Sequence, residues 1–179
     1  MFSKILALGL CALALTHAAP SLQMSMVSCS VNVETSQAVG VQPDITPGYY
    51  QIYNAVPQLG LLRSYKAGEP IFVSATREWP GPFGNWEVKK VGDYQTIRNV
   101  GLDANIRGRN GDGDLTTGSG PGQPFVIEPA YGDFYVVRDP ADNKVWTTDG
   151  NPIRSNVHLE QPMNELSDRQ LWRFVRVEV

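Results

Sequence analysis

The sequence predicts an all-β barrel assembled from three pseudo-symmetric units, and two repeated patterns carry that prediction. The first pattern occurs three times, in Tyr49-Tyr50-Gln51-Ile52-Tyr53-Asn54, Tyr94-Gln95-Thr96-Ile97-Arg98-Asn99 and Phe134-Tyr135-Val136-Val137-Arg138-Asp139. In each copy an aromatic residue is followed three positions later by Ile or Val, then two positions later by Asn or Asp. Aromatic and β-branched residues entered by a Gly turn and left by an Asn or Asp turn read as a strand. The second pattern closes each unit: Trp86-Glu87-Val88, Phe125-Val126-Ile127 and Trp172-Arg173-Phe174. Each sets two apolar side chains on one face of a strand. Units of roughly forty residues cannot each bury an apolar face alone, so they close on one another and remove their sheet edges. The architecture that does this with three units is the β-trefoil. The competing reading is a chance likeness among short strands in another sandwich or barrel.

Taken in order, residues 1–18 have the form of a secretory signal peptide. Lys4 gives the positive start, residues 5–15 are apolar or small, and Thr16-His17-Ala18 offers small cleavage positions. Cleavage is expected after Ala18, with Ala19 a near alternative weakened by Pro20. The apolar run is too short to span a bilayer, so the expected product is exported and soluble. Cys11 leaves with the leader and Cys29 remains alone, as a free thiol or an intermolecular bridge. Residues 19–46 are rich in Ser, Thr, Gln and small residues and read as a flexible tail. The barrel is expected over residues 47–179, enough chain for one core without disulfides.

Within repeat one, strands are expected at residues 48–54, 59–63 and 71–75, with Trp79-Pro80-Gly81-Pro82-Phe83-Gly84 forming a rigid aromatic turn before Trp86. Repeat two, from Gly92 to about Tyr131, offers a strand at 102–106 and Gly-rich loops at 107–114 and 118–124. Repeat three offers strands at 144–147 and 156–159, a loop at 149–155 and a long polar loop at 161–169. Loss of Lys4 with the leader moves the formal charge from −3 to −4. A mildly acidic chain is a poor partner for nucleic acid or for an anionic membrane.

No catalytic set is expected. His158 is the one histidine left after export, inside an alternating strand, and reads as structural rather than as a general base. One Cys and one His make no usual zinc set. No nucleophile elbow occurs, and no carboxylate pair stands out. Asn110-Gly111-Asp112-Gly113-Asp114 starts like a calcium loop, but Leu115 and Pro121 stand where such a loop needs Gly and Glu. It reads as a turn, so no metal and no cofactor are expected.

The Gly-x-Tyr-x-x-Ile-x-Asn order of residues 92–99, Trp86-Glu87-Val88 followed by Gly92-Asp93-Tyr94, and the final Leu171-Trp172-Arg173-Phe174 strand reaching Val177 carry a resemblance. Together they resemble the β-trefoil protease inhibitors of mushrooms and other fungi, above all the fungal serine protease inhibitors. The resemblance covers about residues 47–179. It implies a small, metal-free and non-enzymatic protein that inserts a surface loop into a protease cleft, often the loop between the second and third strands; separately, a monomer is expected. On this chain that loop is Ser64-Tyr65-Lys66-Ala67-Gly68-Glu69-Pro70. The exported precursor, the tail and the sequence of the loop itself depart from that family.

A trypsin-like pocket carries a buried Asp and takes Lys or Arg. Lys66, beside small Ala67 and Gly68 and stiffened by Pro70, meets that demand. The reserve is Ile153-Arg154-Ser155, stiffened by Pro152. The bland alternative for both cations is an ordinary solvated loop residue. The expected partner is therefore a secreted or exogenous serine protease of trypsin-like preference. The rival partner is a glycan, because Gln170-Leu171-Trp172, Gln123-Pro124-Phe125 and Leu102-Asp103-Ala104 resemble marks of ricin-B-type trefoil lectins. In that reading Asp103 would bind hydroxyls, whereas Trp172 and Phe125 read as core residues.

Overall fold

The computed structural model describes residues 44–76, 78–108, 113–151 and 153–179. The expected leader, Cys29, the tail up to residue 43, Pro152 and residues 110–112 of the loop tested for calcium lie outside them. Repeat one supplies β1 (Gly48–Asn54), β2 (Leu61–Arg63), β3 (Phe72–Ser74) and β4 (Trp86–Val91). Repeat two supplies β5 (Tyr94–Asn99), β6 (Ala104–Gly108), β7 (Leu115–Gly118) and β8 (Val126–Pro129). Repeat three supplies β9 (Tyr135–Arg138), β10 (Val145–Thr148), β11 (Ser155–Glu160) and β12 (Trp172–Val177).

The first and fourth strands of each repeat form the barrel wall. β1 pairs with β4, β4 with β5, β8 with β9, β9 with β12, and β12 back with β1 over the whole register from Tyr49↔Val177 to Asn54↔Trp172. The remaining gap, β5 to β8, is closed where Gln95 and Phe125 exchange N–H···O bonds of 2.8 Å each. The second and third strands pair as hairpins, β2–β3, β6–β7 and β10–β11, across one end. The hairpins are tied to one another, with Ile71 N–H donating to Leu115 O at 2.8 Å, Val157 N–H to Ile71 O at 3.0 Å and Leu159 N–H to Gly113 O at 2.8 Å. The chain is a β-trefoil.

Both sequence patterns map onto the core. Ile52, Ile97 and Val137 of the opening strands are fully buried, and so are the closing aromatics Trp86, Phe125 and Trp172. Buried indole N–H groups need acceptors. Trp86 donates to Leu62 O at 3.0 Å and Trp172 to Trp146 O at 3.1 Å. Trp146 packs edge-on against both Phe125 and Trp172, at 5.2 and 5.7 Å between ring centres.

The Asn or Asp that ends each opening strand is buried and acts as a joint. Its Oδ1 accepts a turn N–H: Val56 on Asn54, Leu102 on Asn99, Ala141 on Asp139. Its other side-chain atom reaches the segment ahead of the preceding repeat's closing strand. Asn54 Nδ2 donates to Leu171 O at 3.1 Å, Asn99 Nδ2 to Phe83 O at 2.9 Å, and Asp139 Oδ2 accepts from Gln123 Nε2.

Four local expectations are revised. Leu102 and Asp103 form a turn rather than a strand, with Asp103 at φ 51°, a conformation Asp tolerates through local hydrogen bonding. Arg107 and Gly108 belong to β6, not to a loop. β7 is an added strand, four residues long, in which Leu115 joins the core and two buried threonines follow it. Ile45, ahead of the expected start of the barrel, joins the core.

Replacing Trp172 with Ala removes a fully buried indole and strands the Trp146 carbonyl. The expected loss is about 3–5 kcal/mol, read as a lower urea midpoint. A midpoint equal to that of the unsubstituted protein would place Trp172 outside the core.

Candidate functional site

Loop 64–70 joins β2 to β3 and is fastened along its length. Ser64 is buried and shares a 3.1 Å hydrogen bond with the hydroxyl of Thr117 on β7, while its N–H donates to Phe83 O at 3.1 Å. Gly68 N–H donates to Thr117 O at 2.7 Å, and Pro70 bridges to Thr116. Gly68 sits at φ +82°, a conformation that a Cβ disfavours. Tyr65 lays its ring against Phe72 and Phe83, at 5.9 and 5.5 Å. Between these fixed points the Lys66 side chain projects with 73% of its surface exposed.

The Lys66 ammonium lies 2.9 Å from Glu69 Oε1. Their hydrogen bond, reinforced by charge attraction, holds Lys66 above the ordinary lysine value and Glu69 below the ordinary glutamate value. A pair this open to water adds little to stability, but it sets the resting direction of the lysine.

The reserve loop belongs to the same surface. β11 pairs with β3 through Ser155↔Val73 and Asn156↔Phe72. The Arg154 guanidinium stacks 3.9 Å above the Phe72 ring whose neighbour is Tyr65, and its charge also acts on Glu69. Ile153 stands 78% exposed beside it, its carbonyl accepting from the Ser74 hydroxyl at 3.0 Å. The two cations that the sequence offers as alternatives therefore share one patch, with Lys66 projecting and Arg154 laid against an aromatic ring. Ser64 and Ser155 are buried anchors, the latter accepting Gly150 N–H at 2.8 Å. The surface that a partner can touch is narrower than the two sequence ranges.

The residues of the glycan reading do not converge. Trp172 and Phe125 are fully buried. Asp103 pairs with Arg98, which also donates to Glu87 at 2.7 Å. Burial works to raise the Glu87 carboxyl, but hydrogen bonds from Arg98 and Lys89 outweigh it and hold the group below its ordinary value. The glutamines of the two Gln-x-aromatic motifs are internal braces. Gln170 is fully buried, donates to Thr147 Oγ1 and Gln161 O, and accepts Met163 N–H. Gln123 holds Asp139 and Gly108 N–H.

His158 lies between two carboxylates, Nδ1 at 3.1 Å from Asp149 and Nε2 at 2.9 Å from Glu160. Among the described residues no group of three or more His, Cys, Asp or Glu is arranged to hold a metal. No helix among them is long and apolar enough to cross a membrane.

No protein-family model matches the chain, and no curated protein does. Solved structures do. A designed threefold-symmetric protein, ThreeFoil, superposes with a TM-score of 0.62 at 16% identity, over 73% of this chain and 99% of that one. A proteinase inhibitor from Coprinopsis cinerea gives 0.60 at 15% identity, over 75% and 100%. The Rhizoctonia solani agglutinin gives 0.59 at 19% identity, over 75% and 99%. At these identities the likeness is one of fold, and that fold hosts both inhibitors and lectins.

The clamp on loop 64–70 can be tested by Thr117→Val, which keeps shape and removes the partner of the Ser64 hydroxyl. Leaving a buried hydroxyl unpaired costs about 1–3 kcal/mol. The variant should melt earlier and be cut faster after Lys66 by a lysine-specific protease, with the cut located by mass spectrometry. Unchanged cleavage would mean that this bond does not hold the loop.

Proposed function

We propose that this protein inhibits serine proteases of trypsin-like preference, with loop 64–70 entering the protease cleft and Lys66 entering its specificity pocket. The observation that carries the reading is the combination of a projecting lysine and a loop fastened on both sides of it. A substrate-like inhibitor gains affinity when little freedom is lost on binding, and the bonds to Thr117, Phe83 and Thr116 remove that freedom in advance. A proteinase inhibitor among the solved structures of this fold supports the same reading. So does the resemblance of the strand motifs to the fungal serine protease inhibitors. In this reading the chain is a monomeric, non-catalytic protein that acts outside the cell after loss of leader 1–18.

The geometry also ranks the two cations. Arg154 is engaged with Phe72 at 3.9 Å, and moving it into a pocket would forfeit that contact. Lys66 leaves only a solvent-exposed ion pair. Tyr65 and Ile153, 49% and 78% exposed, then flank the lysine as contacts for the rim of the cleft.

The test is an inhibition titration against trypsin, with circular dichroism confirming each fold. Loss of an interface anchor typically costs upwards of about 2 kcal/mol, so Lys66→Ala should raise the inhibition constant about thirtyfold. Arg154→Ala should act more weakly, through the Phe72 and Tyr65 support. Equal constants for Lys66→Ala and the unsubstituted protein would remove Lys66 from the pocket, and an unsubstituted protein that leaves trypsin fully active would end the proposal.

A further inference from the structure

Beside the hairpin that carries loop 64–70 lies a separate cleft of about 480 Å³, within the range of about 300–1,000 Å³ that small-molecule sites occupy. Its lining includes Gln58, Arg63, Ser74, Thr76, Glu78 and Trp79. Arg63 is buried, and its guanidinium is held by the Thr76 hydroxyl at 2.9 Å, the Thr76 carbonyl at 3.3 Å and the Leu61 carbonyl at 3.4 Å. Trp79 is 66% exposed. The other three tryptophans, Trp86, Trp146 and Trp172, are fully buried. The one indole left in water therefore stands at the edge of this cleft, next in sequence to the exposed Glu78.

From this arrangement we infer that the cleft binds a neutral saccharide of one or two rings, stacked on Trp79 and hydrogen-bonded by Glu78, Gln58 and the polar floor. A sugar presents an apolar C–H face and a fringe of hydroxyls. An indole face meets the first, and a carboxylate with an amide meets the second. Other ligand classes fit less well. β2 and β3, which contribute Arg63 and Ser74, are each hydrogen-bonded on both sides, β2 to β1 and β3, β3 to β2 and β11. No open strand edge is offered there to a peptide. Among the described lining residues, an anion would meet the Glu78 carboxylate as well as Arg63, whose guanidinium is already held by Thr76 and Leu61. A wholly apolar ligand would bring no partner to the exposed Glu78 carboxylate at the rim. The site is distinct from the three lectin-like motifs of the sequence, whose aromatic residues are core, and it does not use Lys66.

Trp79 supplies its own readout. Acrylamide quenches exposed indoles, so in the full-length mature protein the quenchable emission should belong mainly to Trp79. Chitobiose, laminaribiose and lactose are titrated while quenching is followed, and calorimetry measures affinity in parallel. At least one of the three should protect Trp79 at millimolar concentration. Trp79→Ala, a surface change that spares the core, should weaken its calorimetric binding about tenfold or more, and Glu78→Gln should weaken it less. Lys66→Ala should leave it unchanged. Protection of Trp79 by none of the three, or undiminished binding by Trp79→Ala, overturns the inference. Trypsin inhibition by Trp79→Ala is measured separately, so failure of the saccharide site and failure of the inhibitory loop are read in different assays.

Discussion

The trefoil depends on three buried side-chain joints. At Asn54, Asn99 and Asp139 one small polar side chain satisfies a turn at the end of its own strand and reaches across to the segment ahead of a neighbouring closing strand. Each joint spans a boundary between repeats, and the boundary between the third and first repeats is bridged in the same way as the others. Hydrophobic burial is non-directional and would accept many arrangements of these strands. Buried polar groups are far less tolerant, because each must find its partner in one geometry. The joints therefore select one register from the many that would bury the same Ile, Val and Trp residues, and the aromatic floor of the barrel is placed by them.

Fixing the barrel in this way leaves the turns at the hairpin end free to vary in length and sequence. β2, β6 and β10 supply carbonyls and apolar residues to the core, but the turns beyond them need only bridge to the next strand. In repeat one that turn became loop 64–70, and β7 serves as its fastening because its threonines face the loop rather than the core alone. The same hairpin has the Trp79 cleft along its flank, and Arg63 touches both, since it also lies within 3.5 Å of the Tyr65 hydroxyl. Two chemically different surfaces thus share one rigid support without sharing the residues that would contact a partner.

Much of the fold was legible in the sequence because its marks are periodic. The aromatic-x-x-Ile/Val-x-Asn/Asp pattern located β1, β5 and β9, and the paired aromatic and apolar residues located β4, β8 and β12. What escaped has a physical reason. β7 is two threonines between Leu115 and Gly118, which have neither the bulk nor the alternation of a core strand, and it is held in place mainly by its partners. Leu102 and Asp103 alternate like a strand, but the Asn99 side chain captures Leu102 N–H and bends the chain into a turn. The candidate loop was legible as a stretch bearing Lys66, yet its fastening was not, since Thr117 lies far along the sequence. The same holds for Arg154 on Phe72: adjacency across β3 and β11 is tertiary information. Trp79 was visible as part of an aromatic turn, but exposure is decided only when the barrel has claimed the other three indoles.

The pairing of β12 with β1 has a consequence for how the chain reaches this state. The bond from Asn54 to Leu171 spans 117 residues, and almost every wall contact between the first and third repeats is of this long-range kind. Structures dominated by such contacts have high contact order, and they fold slowly because loop-closure entropy is lost before the contacts that offset it can form. During synthesis, β1 through β11 can emerge and collapse while one side of the barrel still lacks Trp172. An intermediate of that kind presents open edges on β1 and β9 and an uncovered Trp146. Chaperone capture and aggregation between copies would compete at that stage, and the arrival of one six-residue strand ends the competition.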